Sequence, residues 1–162
     1  MIRECTVADA ESIRAIINKA AKAYEGVIPA DCYHQPYMTM DELRGEMRQM
    51  SFYGWEEAGK LVAVMGFQPL GEVTLIRHAY VLQEWQRRGI GSKLLSQLKQ
   101  LVATPCLLVG TWADVHWAIA FYRKHGFKPL PEKDEMLQKY WSIPERQRET
   151  SIVMSINIKN KF

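Results

Sequence analysis

The segment Gln86-Arg87-Arg88-Gly89-Ile90-Gly91 contains the residue types of a site that holds an anion. It follows an apolar, strand-like run and opens a helix-like run, so its backbone N–H groups lie where a helix offers no internal acceptors. The helix dipole adds partial positive charge at the same point. Gly89 and Gly91 have no Cβ to keep a phosphate away from the main chain, and Arg87 and Arg88 add cations. The segment therefore predicts a cradle for a diphosphate.

Two common phosphate motifs do not match this segment. It has two glycines, so it is not the Gly-x-Gly-x-x-Gly of dinucleotide-binding proteins, and it lacks the Gly-Lys-Ser/Thr ending of a Walker loop. Short glycine motifs also occur in ordinary strand-to-helix loops with solvated arginines. The choice between a cradle and an ordinary loop therefore depends on the rest of the chain.

The composition is typical of a soluble globular domain. The 162 residues are enough for one domain with a core, and 48% are hydrophobic and 24% charged. A net charge of +3 suits an anionic small molecule but is too small to predict nucleic-acid binding. The three cysteines have no metal-site or disulfide spacing. No signal-like or membrane-spanning run is present, so the expected location is the cytoplasm, with no membrane partner.

Hydrophobic periodicity predicts an α+β sheet with helices on both faces. The predicted strands are 2–5, 52–56, 61–68, 73–82, 106–111 and 150–158, and the predicted helices are 9–24, 39–50, 88–103, 115–125 and 135–141. Thr39 and Glu42 form a capping box for the second helix, and Gly126 ends the fourth. The whole of 1–162 is expected to be one domain, frayed at 160–162.

Two sequence blocks together resemble a known family. Val81 with Gln86-x-x-Gly89-x-Gly91 resembles the acetyl-CoA signature of the GNAT N-acetyltransferase superfamily. Ala118, then Phe121-Tyr122-x-x-x-Gly-Phe, resembles the second hallmark of that family, and one helix and one strand separate the blocks. The predicted elements match the family over 2–158. The resemblance implies the GNAT fold, an α/β/α arrangement around a single mixed, mostly antiparallel sheet of six or seven strands with a central parallel splay.

The resemblance also implies an acetyltransferase that uses acetyl-CoA as a co-substrate and no metal. In such proteins the amine attacks directly in a ternary complex, and the pantetheine arm lies between two parallel strands, here near Val81 and in 106–111. A backbone N–H near Val81 would stabilise the oxyanion. The residues implied at the CoA site are Tyr80, Val81, Leu82, Gln86, Arg87, Arg88, Gly89, Ile90, Gly91, Ser92, Trp117 and Phe121.

Tyr122 is the catalytic residue that the resemblance implies. A thiolate leaves easily, so a phenol with a pKa of about 10 is a sufficient general acid. The alternative for Tyr122 is a core aromatic that packs beside Phe121. The family often has an Asn before Ala118, and this chain does not; Trp117, His116 or a backbone group would replace it, and for His116 a solvated helix position is the preferred interpretation.

The general base remains open at this stage. Strict strand alternation places Arg77 on the same face as Val81 and places His78 on the other. Arg77 cannot accept a proton, and His78 would be misplaced unless a bulge intervenes. The remaining options are a water chain and three residues of the loop after the first helix: Glu25, Tyr33 and His34.

The expected acceptor site is formed by the loop after the first helix and by Arg77. Its predicted substrate residues are Tyr24, Tyr33, His34 and Arg77. An inward guanidinium would favour an acidic amine. The alternative for Arg77 is a salt bridge to Glu72 or Glu84. The segment 129–147 either closes over this pocket or forms a homodimer contact.

The sequence therefore predicts an N-acetyltransferase that acts on a primary amine of a small molecule, with an amino-acid-like or acidic compound as one option. A protein N-terminus or a lysine is the alternative acceptor. A catalytically weak acyl-CoA sensor is the rival function, because the base is unassigned and the expected Asn is missing.

Overall fold

The computed structural model describes residues 1–158, which form one seven-stranded sheet with the order β1-β2-β3-β4-β5-β7-β6. The predicted fraying at 160–162 lies outside the described residues. The strands are β1 Ile2–Glu4, β2 Ser51–Glu57, β3 Lys60–Leu70, β4 Val73–Val81, β5 Cys106–Trp112, β6 Lys128–Pro129 and β7 Ser151–Asn157. Only β4 and β5 pair in parallel. The predicted mixed sheet with a central parallel pair is confirmed.

The helices lie on both faces of this sheet. They are α1 Ala10–Ala20, α2 Met40–Met47, α3 Ile90–Leu101, α4 His116–Lys124, α5 Lys133–Tyr140 and α6 Glu145–Glu149. Thr39 caps α2 as predicted, since its hydroxyl accepts the Glu42 N–H at 3.2 Å, but the Glu42 carboxylate accepts the Thr39 hydroxyl at 3.0 Å and not the Thr39 backbone N–H that a full capping box requires. No helix within residues 1–158 is long and apolar enough to cross a membrane.

Alternation along the strands divides the core between the two faces. On one face, Ile76 and Val109 pack with Leu94, Leu98 and other residues of α3 and α4. We call this the α3 face. On the other, the α1 face, Ile13 and Ile17 of α1 and Leu43 of α2 cluster with Val64 of the sheet, and Leu137 of α5 clusters with Leu75 and Leu108. Burying each of these side chains contributes about 1.5–3 kcal/mol, so both faces fix the central strands.

The middle of the sheet opens where β4 and β5 separate. They pair from Val73 opposite Cys106 only as far as Ile76 opposite Val109. Just beyond, β4 carries one extra residue relative to β3, because Arg77 lies opposite Gly66 and Tyr80 opposite Val64. The bulge includes His78, whose φ of 53° is in the left-handed region. A bulge bends and twists its strand, which accounts for the gap between β4 and β5.

Candidate active site

The predicted anion cradle has the expected backbone geometry. Gly89 is the N-cap of α3 with φ 79°, and no side chain caps this helix. The first-turn N–H groups therefore point outward without helical acceptors. Arg87 has φ 65°, an unusual conformation for a residue with a side chain. The Ser92 hydroxyl lies 2.9 Å from Nε2 of His125, which joins α3 to the end of α4 beside the cradle.

A cavity of about 520 Å³, the cofactor cavity, extends from the cradle into the gap between β4 and β5. The predicted residues that line it are Tyr80, Val81, Gln86, Arg87, Gly89, Ile90, Gly91, Ser92, Trp117 and Phe121. Two predicted residues do not. Leu82 pairs with Val62 in the sheet, and the Arg88 guanidinium donates to the Glu84 carbonyl at 3.2 Å and covers the Trp85 ring at 4.5 Å.

Sequence reasoning missed other residues of this cavity. Trp85 and Lys124 line it, so Lys124 adds a cation that the prediction assigned to Arg88. The predicted residue Trp117, although 52% exposed, stacks on Tyr24 with ring centroids 6.3 Å apart. Lys124 lies two positions after Tyr122 in the second motif block, and this proximity was the available signal.

One backbone donor is directed into the gap. Leu82 donates its N–H to the Val62 carbonyl at 3.0 Å, so the neighbouring Val81 N–H points away from β3 by strand alternation. On that side of β4, β5 no longer pairs with it at this level, so the Val81 N–H points into the gap between the two strands. Gln86 donates its side-chain amide to the Val81 carbonyl at 3.1 Å, which fixes this peptide segment next to the cradle.

A second cavity, the acceptor cavity, lies on the α1 face at the same gap and has a volume of about 150 Å³. Aromatic side chains dominate its walls. Its ring-bearing residues are Tyr24, Tyr37, His78, Tyr80, Trp112, Tyr122 and Trp141. It shares with the cofactor cavity a wall made of Tyr24, Ala79, Tyr80, Ala118 and Tyr122. The two cavities therefore meet through the sheet.

The phenols of this shared wall are neutral near pH 7. Burial raises the pKa of Tyr122, Tyr80 and Tyr24 above the ordinary value near 10. Tyr24 donates to the Tyr80 oxygen at 3.3 Å. Burial also raises the pKa of Tyr37 to about 12, although the indole N–H that Trp112 donates at 3.2 Å opposes the rise. Each phenol can therefore donate a proton or a hydrogen bond, and none is available as a base.

The bulge corrects the predicted alternation of β4. Ala79 and Val81 face α3 and His78 faces α1, as counted, but Arg77 also faces α1, and there Arg77 and His78 both meet Glu46 of α2. The Arg77 guanidinium lies 3.1 Å from one carboxylate oxygen of Glu46, and Nε2 of His78 contacts the other. One extra residue turns Arg77 to the face of His78, and that face, opposite to Val81, is the one that carries the acceptor cavity.

Glu46 is a functional candidate that the sequence prediction did not include. Burial pushes its pKa upward, but the hydrogen bond from His78 and the charges of His78 and Arg77 outweigh this and leave the pKa below 4.5. Glu46 therefore carries a negative charge at neutral pH. Because it follows the buried Leu43 by about one helical turn, its inward placement on α2 was readable from the spacing.

Arg77 lines the acceptor cavity, but its charge is already paired. It donates to Glu46 at 3.1 Å and to the Gln68 side chain at 3.2 Å, and neither Glu72 nor Glu84 is its partner. The expectation that Arg77 offers a free guanidinium to an acidic amine loses its main support. Binding a substrate carboxylate there would require breaking the pair with Glu46.

The loop after α1 supplies one wall of the acceptor cavity. Asn18 holds the end of this loop, because its side chain donates to the Met38 carbonyl at 3.0 Å and accepts the Met38 N–H at 2.7 Å. Tyr37 lines the cavity, whereas Tyr33 and His34 pack behind Tyr37 and lie outside the lining. A direct substrate contact from Tyr33 or His34 would require a different loop arrangement.

The comparison with protein families bears on this arrangement. A family model described as an acetyltransferase (GNAT) domain matches residues 48–129. The chain belongs to the GNAT acetyltransferase family. The matched part contains the cradle, the bulge of β4 and Tyr122, so it includes the shared wall of the two cavities except Tyr24. No curated protein matches the chain.

Solved structures share the fold of this GNAT protein along nearly its full length. The ribosomal-protein-S18-alanine N-acetyltransferase of Escherichia coli is 18% identical, with a TM-score of 0.73 over 98% of this chain and 93% of that one. The PaiA N-acetyltransferase of Thermoplasma acidophilum, in complex with coenzyme A, is 15% identical, with a TM-score of 0.74 over 97% and 98%. A GNAT acetyltransferase of Staphylococcus aureus Mu50 is 18% identical, with a TM-score of 0.76 over 98% and 99%.

Proposed function

We propose that this protein is an N-acetyltransferase that transfers the acetyl group of acetyl-CoA to the primary amine of a small molecule by direct attack in a ternary complex. The meeting of the two cavities at the wall that contains Tyr122 supports this most strongly. A donor and an acceptor that enter from opposite faces of the sheet would have their reactive groups side by side. Holding two reactants in this way removes much of the entropic part of the barrier.

The cofactor cavity fits CoA chemically. The first-turn N–H groups of α3, with Arg87 and Lys124, would hold the diphosphate. A Cβ built on Gly91 would point toward the Phe121 ring at 3.5 Å, and glycine leaves that space to a ligand. Bound acetyl-CoA supplies an activated acyl group and a good leaving thiolate. The Val81 N–H would then face the negative charge that develops on the acyl oxygen.

Two side chains are candidates for proton transfer in the reaction, one as a donor and one as an acceptor. Tyr122 lines both cavities and is protonated at neutral pH, so it would donate to the departing sulfur. On the acceptor side, His78 is the one imidazole in the described cavity lining, and a neutral imidazole has a nitrogen that can accept a proton. Because ionised Glu46 contacts its Nε2, that nitrogen would carry the hydrogen and leave Nδ1 as the acceptor. Glu46 would thus orient the base.

The test is thiol release from acetyl-CoA across a panel of amines, with mass spectrometry of the products. We expect amine-dependent release and an acetylated amine, reduced in a Tyr122→Phe variant that still binds acetyl-CoA. A matched control is Tyr53→Phe, because Tyr53 lies on β2 away from both cavities. If acetyl-CoA raises the Tm but no amine or peptide stimulates release, the protein is a sensor. Release with peptides alone would assign a protein acceptor.

A further inference from the structure

The segment between β6 and β7 closes one side of the acceptor cavity. We call residues 130–150, which include α5 and α6, the insert. It contributes Leu137, Trp141, Ile143 and Gln147 to the lining. A Cβ built on Gly110 of β5 would lie 3.2 Å from Cζ2 and 3.3 Å from Cε2 of Trp141. The indole ring therefore lies directly on the β5 main chain, and Gly110 is required for this contact.

The insert is held at both ends, so its wall is pre-formed. Lys133 at the start of α5 donates to backbone carbonyls at the other end of the insert. These include the carbonyl of Arg148 near the end of α6, at 3.0 Å, and the carbonyl of Ser151 at the start of β7, at 2.8 Å. Leu137 is fully buried against Leu75 and Leu108 of the sheet. These contacts fix α5, and with it Trp141, relative to β5.

The size of the cavity limits the body of the acceptor. Its volume is about 150 Å³. A benzene-sized molecule fits a cavity of about that volume, and the lining here combines aromatic rings with the polar side chains of Thr111, Gln147 and Ser151. With Trp141 on one side and Tyr37 and Trp112 on another, the space suits a ring or a branched aliphatic group of similar size.

The charges around the cavity limit the acceptor further. No carboxylate is among its described lining residues, and the one guanidinium, that of Arg77, is paired with Glu46. A second ammonium group on the substrate would be buried without a counter-charge. A substrate carboxylate would also be buried without a counter-charge unless it displaced Glu46 from Arg77. Both cases are costly. This disfavours polyamines and acidic amines.

From these walls and charges we infer that the acceptor is a primary monoamine with an uncharged, ring-sized body, and that Trp141 determines its size. The inference rests on the proposed function and narrows its substrate class. The contact between the Trp141 indole and Gly110 can be changed in both directions by single substitutions. A substitution at Trp141 can enlarge the cavity, and a substitution at Gly110 can make it smaller.

Acetylation of four probes tests the class: benzylamine, 1-naphthylmethylamine, spermidine and glutamate. We expect the wild type to prefer benzylamine by at least about 10-fold in kcat/KM over each of the others, equivalent to about 1.4 kcal/mol. Preference for spermidine, glutamate or an alanine-initiated peptide would overturn the inference while leaving the proposed acetyl transfer intact.

Opposite changes at one contact test the role of Trp141. Trp141→Ala should raise kcat/KM for 1-naphthylmethylamine at least about 10-fold relative to benzylamine, because it removes most of the wall. Gly110→Ala should lower kcat/KM for benzylamine, because the new methyl group pushes the indole into the cavity, and it serves as the test if Trp141→Ala does not fold. Trp55→Ala, a tryptophan of β2 outside both cavities, should leave the ratio unchanged. An unchanged ratio in both cavity variants would refute a role for Trp141.

Calorimetry separates this inference from the proposed function. Benzylamine titrated into the CoA-saturated protein should bind, and spermidine and glutamate should not, whether or not turnover occurs. Binding without turnover supports the inferred cavity and argues against catalysis. Turnover of other amines without binding of benzylamine overturns the inferred class alone.

Discussion

The two glycines of the cradle should respond to alanine in opposite ways, although they are only two residues apart. Gly89 has φ 79°, where a Cβ costs about 1–2 kcal/mol. Gly91 is the second residue of α3 and has no positive φ, and its built Cβ meets Phe121 only at 3.5 Å, an ordinary contact. Alanine at position 91 should therefore add up to about 1 kcal/mol of helix propensity.

These free energies convert into melting temperatures. A protein of 150–250 residues changes its Tm by about 2–4 °C per kcal/mol. Without ligand, Gly89→Ala should melt about 2–8 °C below the wild type, and Gly91→Ala should melt at the wild-type temperature or up to about 4 °C above it. Differential scanning fluorimetry at several protein concentrations measures both shifts.

The effect of Gly91→Ala on acetyl-CoA binding should differ from its effect on the Tm. The methyl group of Gly91→Ala enters the cofactor cavity between Phe121 and Val81. The Val81 side chain lies 3.8 Å from the Cβ built at this position. Loss of one charge-assisted hydrogen bond to the diphosphate costs about 1.5–3 kcal/mol, which is about a 10- to 100-fold higher Kd by calorimetry. If Gly91→Ala binds acetyl-CoA like the wild type, or melts as low as Gly89→Ala, the assigned cradle geometry is wrong.

Three further variants test the acceptor side. Tyr122→Phe should lower kcat about 10²-fold with little change in the Kd of acetyl-CoA, because it removes the general acid; steady-state kinetics with a loss under about 3-fold would contradict that role. Glu46→Gln should cost about 1–3 kcal/mol at pH 7 in urea unfolding. Since the pKa of Glu46 is lowered by folding, its carboxylate stabilises the protein above the unfolded value of 4.5, and the difference from the variant should vanish as the pH falls through the folded pKa. Asn18→Ala should cost about 1–3 kcal/mol and raise the KM of the amine more than that of acetyl-CoA, because the loop that carries Tyr37 loses its anchor at Met38; an equal rise in both would contradict the assignment.

The backbone features of the predicted donor side could be predicted from the sequence because they are contiguous. The cradle is a strand end, a loop and a helix start within a few residues, and Tyr122 lies in a helix that ends at Gly126 with φ 94°. Local backbone chemistry defines such features, so one sequence is enough to place them. The position of Arg88 outside the cavity lining has a local cause too, since its side chain contacts the Trp85 ring and the Glu84 carbonyl.

The acceptor side could not be predicted in the same way, because it depends on register and on contacts distant in the chain. A bulge adds one residue to β4 without any composition signal, and it moves Arg77 to the face that His78 occupies. Glu46 reaches this bulge from a helix about 30 residues earlier. The short β6 and α6 also had too few residues to show a hydrophobic period.

The clamp formed by Lys133 has a consequence for how specificity in this protein can change. It joins the start of the insert to the backbone just before β7, so the two ends of the excursion are neighbours in space. A segment with adjacent ends can be lengthened, shortened or replaced at little conformational cost to the sheet beneath it. A replacement of the insert that still covers Leu75 and Leu108 would therefore reshape the acceptor cavity while the cradle stays constant.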